Sequence, residues 1–147
     1  MLHVPRGVWV RQEIEGLESV MANDLDAAAV EAIKKNTEIN QIPAGRVIPH
    51  HGDASLVCYM HRDDEKRFDV LDLDPYGAPT PFLDGAVQAV SEGGLLCVTA
   101  TDMAVLCGKN SEVCYSKYGV MSMRGLPSCH EFAIRAVLAA IESAANR

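Results

Sequence analysis

The run Asp74-Pro75-Tyr76-Gly77 holds the residue types with the most specific chemistry in this 147-residue sequence. The exocyclic amine of a nucleobase is a poor nucleophile, because its lone pair is conjugated with the ring. The carboxylate of Asp74 and the carbonyl of Pro75 can each accept one N–H of such an amine and turn its lone pair toward an electrophile. Tyr76 can stack on the base. Asp, Pro and Gly are also common turn residues, but the position after a buried strand, together with the tyrosine, favours chemistry on a base.

Two further acidic residues, Asp24 and Asp53, also follow short apolar segments. In a nucleotide-binding α/β unit, an acid at the tip of the second strand accepts both ribose hydroxyls. Asp24 fits this role about as well as that of a helix cap. In the turn Gly52-Asp53-Ala54, Asp53 could accept a hydrogen bond from an adenine amino group, although the turn taken alone is more typical of an N-cap. Asp26 is best explained as the N-cap of the helix that follows.

The cysteines and histidines do not predict a metal site. The five cysteines are odd in number, no two have the spacing of a metal-binding pair, and several lie in apolar stretches. We therefore expect reduced intracellular thiols without zinc, and solvated or capping histidines. A small aromatic and basic cluster is more typical of loop packing than of contact with an RNA backbone; it comprises Tyr115, Lys117, Tyr118 and Arg124.

Composition and charge exclude several classes of protein. Hydrophobic residues make up 48% of the chain and aromatic residues 5%, which is typical of a globular domain rather than a disordered chain. No apolar run approaches the roughly 20 residues that a membrane-spanning helix needs, and the first residues have no signal-peptide core. The 13 Lys and Arg against 20 Asp and Glu give a net charge of −7. This charge argues against strong unaided binding to nucleic acid.

Strand and helix patterns alternate along the chain, which predicts a parallel sheet covered by helices on both faces. Ligands of such sheets bind outside the carboxyl ends of the strands. Because Asp24, Asp53, Asp74 and Asp102 follow the four predicted strands, we expect one shared site. The predicted strands are 17–23, 46–49, 68–73 and 95–100. The predicted helices are 27–40, 81–91 and 130–145, with a further weak helix after residue 54. Residues 108–127 lack periodicity and are predicted to be irregular.

The run from Phe68 to Tyr118 resembles the eukaryotic tRNA (guanine-N2-)-dimethyltransferases, and so do Ser19–Asn40 and Ser128–Arg135. The resemblance extends from about Val10 to the end of the chain, and its most specific part is the stretch around DPYGAP. It implies a class I, Rossmann-like methyltransferase fold. It also implies an enzyme that transfers methyl groups from S-adenosyl-L-methionine to the N2 amine of a guanine in tRNA, typically at position 26, twice.

The resemblance also implies roles for the residues already singled out. Asp24 matches the family's ribose-binding acid, and Asp53 with Ala54 matches its adenine-contacting turn. The residues Asp74-Pro75-Tyr76 match the motif that holds the target amine. No metal and no membrane are implied, and the oligomeric state is left open.

The family carries a first strand and a glycine-rich cofactor loop before the segment that matches Ser19. The residues before Ser19 show no such loop, so we expect a parallel sheet that lacks the family's first strand. Residues 7–11 would partly fill the position of that missing strand. The expected organisation is one partial catalytic domain over residues 1–147, with a divergent N-terminus at 1–16 and a family-like core at 17–147. The family's second domain, which helps to bind tRNA, would follow Arg147. We expect the full-length protein to bind tRNA and this chain alone to bind it weakly. We expect the protein to be located in the nucleus rather than in the mitochondrion or the cytoplasm.

Two alternatives differ in class from a tRNA methyltransferase. One is a non-catalytic, truncated methyltransferase-fold module that acts through protein contacts. The other is a nicotinamide-dependent oxidoreductase, because acidic strand tips also suit the ribose of that cofactor. The missing G-x-G-x-x-G pattern and the presence of the Asp-Pro-Tyr-Gly run count against an oxidoreductase.

Overall fold

Parallel strands alternate with helices in a computed structural model of the chain, which describes residues 16–147. The predicted divergent N-terminus and the segment 7–11 therefore fall almost wholly outside the described residues. The strands are β1 (Val20–Asp24), β2 (Val47–His51), β3 (Phe68–Leu73) and β4 (Val90–Val98). The helices are α1 (Ala27–Ile39), α2 (Ala54–Met60), α3 (Thr80–Ala89), α4 (Met103–Leu106), α5 (Ser111–Tyr118) and α6 (Cys129–Ala145), with a 3-10 turn at Asp64–Lys66.

The described strands form two parallel pairs instead of the single sheet that the sequence predicts. The chain divides into two compact units between Ala54 and Ser55. In the first unit β1 pairs with β2 in continuous register, and in the second unit β3 pairs with β4. A further strand joins a sheet only by forming backbone hydrogen bonds with a strand at the edge of that sheet. Within residues 16–147 no strand joins the two pairs.

Helix α1 follows the local signals in its sequence. The side chain of Asp26 accepts a hydrogen bond from the Ala28 backbone N–H at 2.9 Å, which confirms Asp26 as the N-cap. The helix buries Ala29, Val30 and Ile33, and Ile33 packs against Val47 of β2. This contact places the helix on the β1–β2 pair.

The second unit has its core on one face of the β3–β4 pair. Leu73 of this pair packs with Leu83 and Ala86 of α3, and α6 contributes Ala144. On the opposite face Val70 and Leu95, which are register partners, are 55% and 57% exposed. The prediction of helices on both faces is therefore wrong for this pair within the described residues. Because side chains alternate along a strand, one face packs on helices and the other is open.

Strand β4 begins earlier than the sequence predicts. Helix α3 ends at Ala89, and β4 starts at once with Val90 opposite Phe68. Gly93 and Gly94 lie inside this strand, where the register shifts between Phe68 and Val70. Gly93 has a φ of +76°, which an irregularity of this kind often needs and which glycine adopts without steric cost.

The segment predicted to be irregular contains a helix, α5. Its buried residues are Cys114 and Tyr118, which are four positions apart and therefore lie on one face. They pack with Leu106 of α4 and Ala133 of α6. Helix prediction failed here because the buried face of this eight-residue helix consists of a cysteine and a tyrosine rather than of aliphatic residues. No helix within residues 16–147 is long and apolar enough to cross a membrane.

Candidate active site

The carboxyl ends of β1 and β2 are joined by side-chain and backbone hydrogen bonds. The Asn23 side-chain amide donates to the Gly52 carbonyl at 3.0 Å, and the Gly52 N–H donates to the Asp24 carbonyl at 3.1 Å. Since the amide group of Asn23 donates, its oxygen accepts from His50 Nδ1 at 2.7 Å, and this ring nitrogen carries the hydrogen. His50 therefore braces the turn, a role that its sequence context does not reveal.

Close approach explains why residue 52 is a glycine. A Cβ atom at Gly52 would lie 2.8 Å from Cε1 of His50, whose ring is held by Asn23. The glycine lets the turn after β2 pass directly over this pair. The turn continues into Asp53, which is exposed, and Ala54, which is the half-buried first residue of α2.

Asp24 lies half-buried at the end of β1, in the same unit as Asp53 and Ala54. Its Oδ1 accepts a hydrogen bond from the Asp26 backbone N–H at 2.8 Å. Among the residues that the structure describes this is the only side-chain hydrogen bond of Asp24, so Oδ2 retains its capacity to accept. The cap of α1 is supplied by Asp26, which leaves Asp24 available for a ligand.

The Asp-Pro-Tyr-Gly turn follows β3 and is fastened to the end of β4. The Thr99 N–H donates to the Leu73 carbonyl at 2.9 Å, just before the turn. At its other end, the Gly77 N–H donates to Thr101 Oγ1 at 2.9 Å and the Thr101 N–H donates to the Gly77 carbonyl at 3.0 Å. Thr101 thus holds Gly77 through both its backbone and its hydroxyl, so the turn is a preorganised element rather than a loose connection.

The first three residues of the turn differ in exposure. Tyr76 is 74% exposed, and its ring is therefore accessible to a flat partner. Asp74 and Pro75 are half-buried, and Oδ2 of Asp74 is shielded from solvent. Hydrogen bonds to a carboxylate are stronger in such a site than in open water. The arrangement can stack a planar ring on Tyr76 and accept N–H groups beside it.

Asp102, the fourth acidic residue after a strand, makes contacts that hold two helices together. Its side chain is 9% exposed, and its Oδ1 accepts a hydrogen bond from the Tyr118 hydroxyl at 2.5 Å. Lys117 Nζ lies 3.6 Å from Oδ2, within ion-pair range but too far for a hydrogen bond. These contacts join α5 to the start of α4. Lys117 and Tyr118, which belong to the small aromatic and basic cluster of the sequence, thus contact Asp102 from a helix rather than from a loop.

Replacing Tyr118 by Phe should lower the free energy of unfolding by about 1.5–3 kcal/mol at neutral pH, the usual loss for a hydrogen bond to a charged group. Burial, together with the hydrogen bond and charge of Asp102, raises the pKa of Tyr118 above its ordinary value of 10.0. Above about pH 10 the unfolded tyrosine ionises while the folded one stays protonated. The stabilisation is therefore complete below that pH and is lost progressively above it.

Denaturant unfolding at neutral pH and at about pH 11 measures this effect. The stability difference between the parent and Tyr118→Phe should shrink at the alkaline pH. Tyr115→Phe is the matched control, because Tyr115 is 60% exposed on the same helix, and it should change little at either pH. A difference of equal size at both pH values would contradict the proposed hydrogen-bond energetics.

Comparison with a solved structure defines the class of fold. Trm1 from Pyrococcus horikoshii, solved in complex with S-adenosyl-L-methionine, superposes with a TM-score of 0.85 at 33% sequence identity. The match covers 96% of this chain and 40% of that chain. The α/β architecture with parallel strands is therefore that of a Rossmann-like methyltransferase, as the sequence predicts.

Comparisons of sequence define the family. A family model described as N2,N2-dimethylguanosine tRNA methyltransferase matches residues 5–147, and the chain belongs to this family. The tRNA (guanine(26)-N(2))-dimethyltransferases of Mus musculus and Homo sapiens are 53% and 52% identical to it over 141 residues. Each match covers 96% of this chain but 21% of the relative. The chain thus spans about a fifth of the length of these curated relatives.

Proposed function

We propose that this chain forms part of an enzyme that transfers methyl groups from S-adenosyl-L-methionine to the N2 amine of a guanine in tRNA, giving dimethylguanosine. Membership of the family supports this proposal. The observation that carries it is the turn after β3, where Thr101 holds Gly77 by two hydrogen bonds while Tyr76 stays exposed. The reaction needs a rigid platform with acceptors beside a stacking surface, and the turn has these properties.

In the proposed reaction, Asp74 and Pro75 orient the amine. The carboxylate of Asp74 and the carbonyl of Pro75 each accept one N–H, and Tyr76 stacks on the guanine ring. The lone pair of the nitrogen is then directed away from the ring, and the negative charge of Asp74 stabilises the positive charge that develops on nitrogen. Bound S-adenosyl-L-methionine would supply an electrophilic methyl group on a sulfonium sulfur: the N–C bond forms as the S–C bond breaks, the sulfur leaves as a neutral thioether, and the methylated nitrogen then loses a proton.

We place the adenosine part of the cofactor at the carboxyl ends of β1 and β2. Oδ2 of Asp24 has acceptor capacity that suits a ribose hydroxyl, and the half-buried position strengthens such a bond. The Gly52 turn is braced by Asn23 and His50, so Asp53 and Ala54 are presented to an adenine edge from a fixed backbone. The residues present therefore fit a nucleoside.

The domain organisation and cellular context follow from the same proposal. We assign residues 1–147 to one partial catalytic domain, with a divergent N-terminus at 1–16 and a family-like core at 17–147.

The net charge of −7 opposes phosphate binding, so this chain alone should bind tRNA weakly and the remaining length of the protein should supply most of the affinity. Because tRNA is an intracellular substrate, the protein acts inside the cell, and we favour the nucleus.

A methylation assay tests the proposal directly. The chain, extended to the length of its relatives, is incubated with isotopically labelled S-adenosyl-L-methionine and an unmodified tRNA that has guanine at position 26. Nucleoside analysis should show dimethylguanosine, and the same tRNA with adenine at position 26 should stay unlabelled. Cofactor binding without methyl transfer would favour the non-catalytic module, while label on the adenine-26 control would contradict the proposed target.

A further inference from the structure

A second cluster of reactive side chains lies where α6 begins. Sγ of Cys107, Sγ of Cys129 and a ring nitrogen of His130 all lie within 4.8 Å of one another. Cys107 is the residue that caps the end of α4, and Cys129 is the first residue of α6. The Cys107 thiol also donates to the Cys129 carbonyl at 3.2 Å. The fold thus brings two thiols and an imidazole together from segments 22 residues apart.

We propose that Cys107, Cys129 and His130 bind a zinc ion. Two thiolates and one imidazole are ligands that zinc prefers, and sites with three protein ligands leave the fourth position to water. Tetrahedral coordination with Zn–S bonds of about 2.3 Å places the sulfur atoms about 3.8 Å apart. Compared with the present limit of 4.8 Å, the ligands need to approach by about 1 Å at most, which rotation of the side chains supplies.

The environment of the cluster suits an ion with one open position. Cys107 and Cys129 are half-buried, while His130 is exposed. The two sulfur atoms are therefore partly protected from solvent, while the exposed imidazole keeps the cluster accessible to an ion from solution. A water molecule would take the fourth coordination position. Sequence spacing alone does not reveal this site, because only two of its ligands are neighbours in the chain.

Zinc at this position would stabilise the segment that holds the Asp-Pro-Tyr-Gly turn. Thr101, which bonds Gly77, lies two residues before α4, and Cys107 directly follows this helix. Linking Cys107 to Cys129 through a metal would fix the C-terminal end of α4 and close a loop that contains α5. A cross-link of this kind stabilises the folded state by restricting the unfolded chain. We therefore expect bound zinc to raise the stability of the folded chain.

Titration of the reduced, metal-free 147-residue chain tests the proposal. Co²⁺ should give the near-ultraviolet absorption of cobalt–thiolate bonds, and one equivalent of Zn²⁺ should remove this absorption. Cys107→Ser, Cys129→Ser and His130→Gln should each weaken zinc binding at least as much as loss of an outer-shell partner does, about tenfold or more. Cys97→Ser is the matched control, because Cys97 is also half-buried but lies outside the cluster.

Thermal unfolding supplies a second readout. Zinc should raise the Tm of the parent and of Cys97→Ser, but not that of Cys129→Ser. If a cysteine variant fails to fold, the exposed His130→Gln variant keeps the test decisive. Equal zinc affinity in the parent and His130→Gln, or an equal loss in Cys97→Ser, would overturn the site. Failure of the reduced parent to bind one equivalent, with a Cys107–Cys129 disulfide forming in air, would identify a redox pair instead. None of these outcomes depends on methyl transfer.

Discussion

Replacing Asp74 by Asn should remove most methyl transfer while leaving the affinity for S-adenosyl-L-methionine nearly unchanged. The amide keeps the size of the side chain and one acceptor, but it loses the negative charge and can present an N–H to the substrate amine. Loss of one preorganised group that stabilises transition-state charge typically lowers kcat by about 10²–10³. We expect a decrease of about this size, because we assign Asp74 to the reacting nitrogen itself.

The measurement is single-turnover methylation of tRNA by the protein extended to its relatives' length, with cofactor affinity determined by calorimetry. Asp72→Asn is the matched control, because Asp72 is an exposed carboxylate on the same strand, and it should retain parental kinetics. Tyr76→Ala should slow the reaction less than Asp74→Asn, since it loosens the base without removing an acceptor. Parental rates in Asp74→Asn would make this residue a structural turn residue and the mechanism wrong.

The second methyl transfer is a more specific test of the two proposed hydrogen-bond acceptors. After one transfer the amine retains a single N–H for the carboxylate of Asp74 and the carbonyl of Pro75 together. Removing the charge of Asp74 should therefore change the ratio of monomethylated to dimethylated guanosine as well as the total yield. An unchanged ratio at a reduced rate would indicate that Asp74 acts only in positioning the tRNA.

The parts of the fold that depend on neighbouring residues could be predicted from the sequence. Asp26 is visible as a cap because its hydrogen-bond partner, Ala28, lies two residues away. The Asp-Pro-Tyr-Gly turn is visible because its chemistry is contained in four consecutive residues. Helix α1 was likewise predictable, since Ala29, Val30 and Ile33 share one face at helical spacing.

The contacts that give these local features their precision come from distant residues, and sequence patterns do not show them. Thr101 fastens Gly77 across 24 positions, and His50 bonds Asn23 across 27 positions. Each partner is an ordinary polar residue whose role exists only once the parallel strands are in register. The pairing of strands into two separate sheets is hidden for the same reason, because alternation along the chain predicts strands but not which edges join.

Asp24→Ala should weaken binding of S-adenosyl-L-methionine by about 10- to 150-fold, the equivalent of about 1.5–3 kcal/mol for a hydrogen bond to a charged group. The alanine removes Oδ2, which we assign to the ribose, and also removes the bond from Oδ1 to the Asp26 N–H. Asp24→Asn separates these two effects. It keeps an acceptor for Asp26 but loses the charge, so its affinity should lie between those of the parent and Asp24→Ala.

Calorimetric titration of the protein extended to its relatives' length, at constant ionic strength, measures these affinities. Asp26→Ala is the matched control, because it removes a neighbouring carboxylate that caps α1. It should lower stability by about 1 kcal/mol and leave cofactor affinity close to that of the parent. If Asp24→Ala instead loses stability with unchanged affinity, its carboxylate serves only the turn to Asp26. The affinity of Asp53→Ala would then decide whether the adenosine binds at the ends of these two strands, since Asp53 follows Gly52, whose N–H donates to the Asp24 carbonyl.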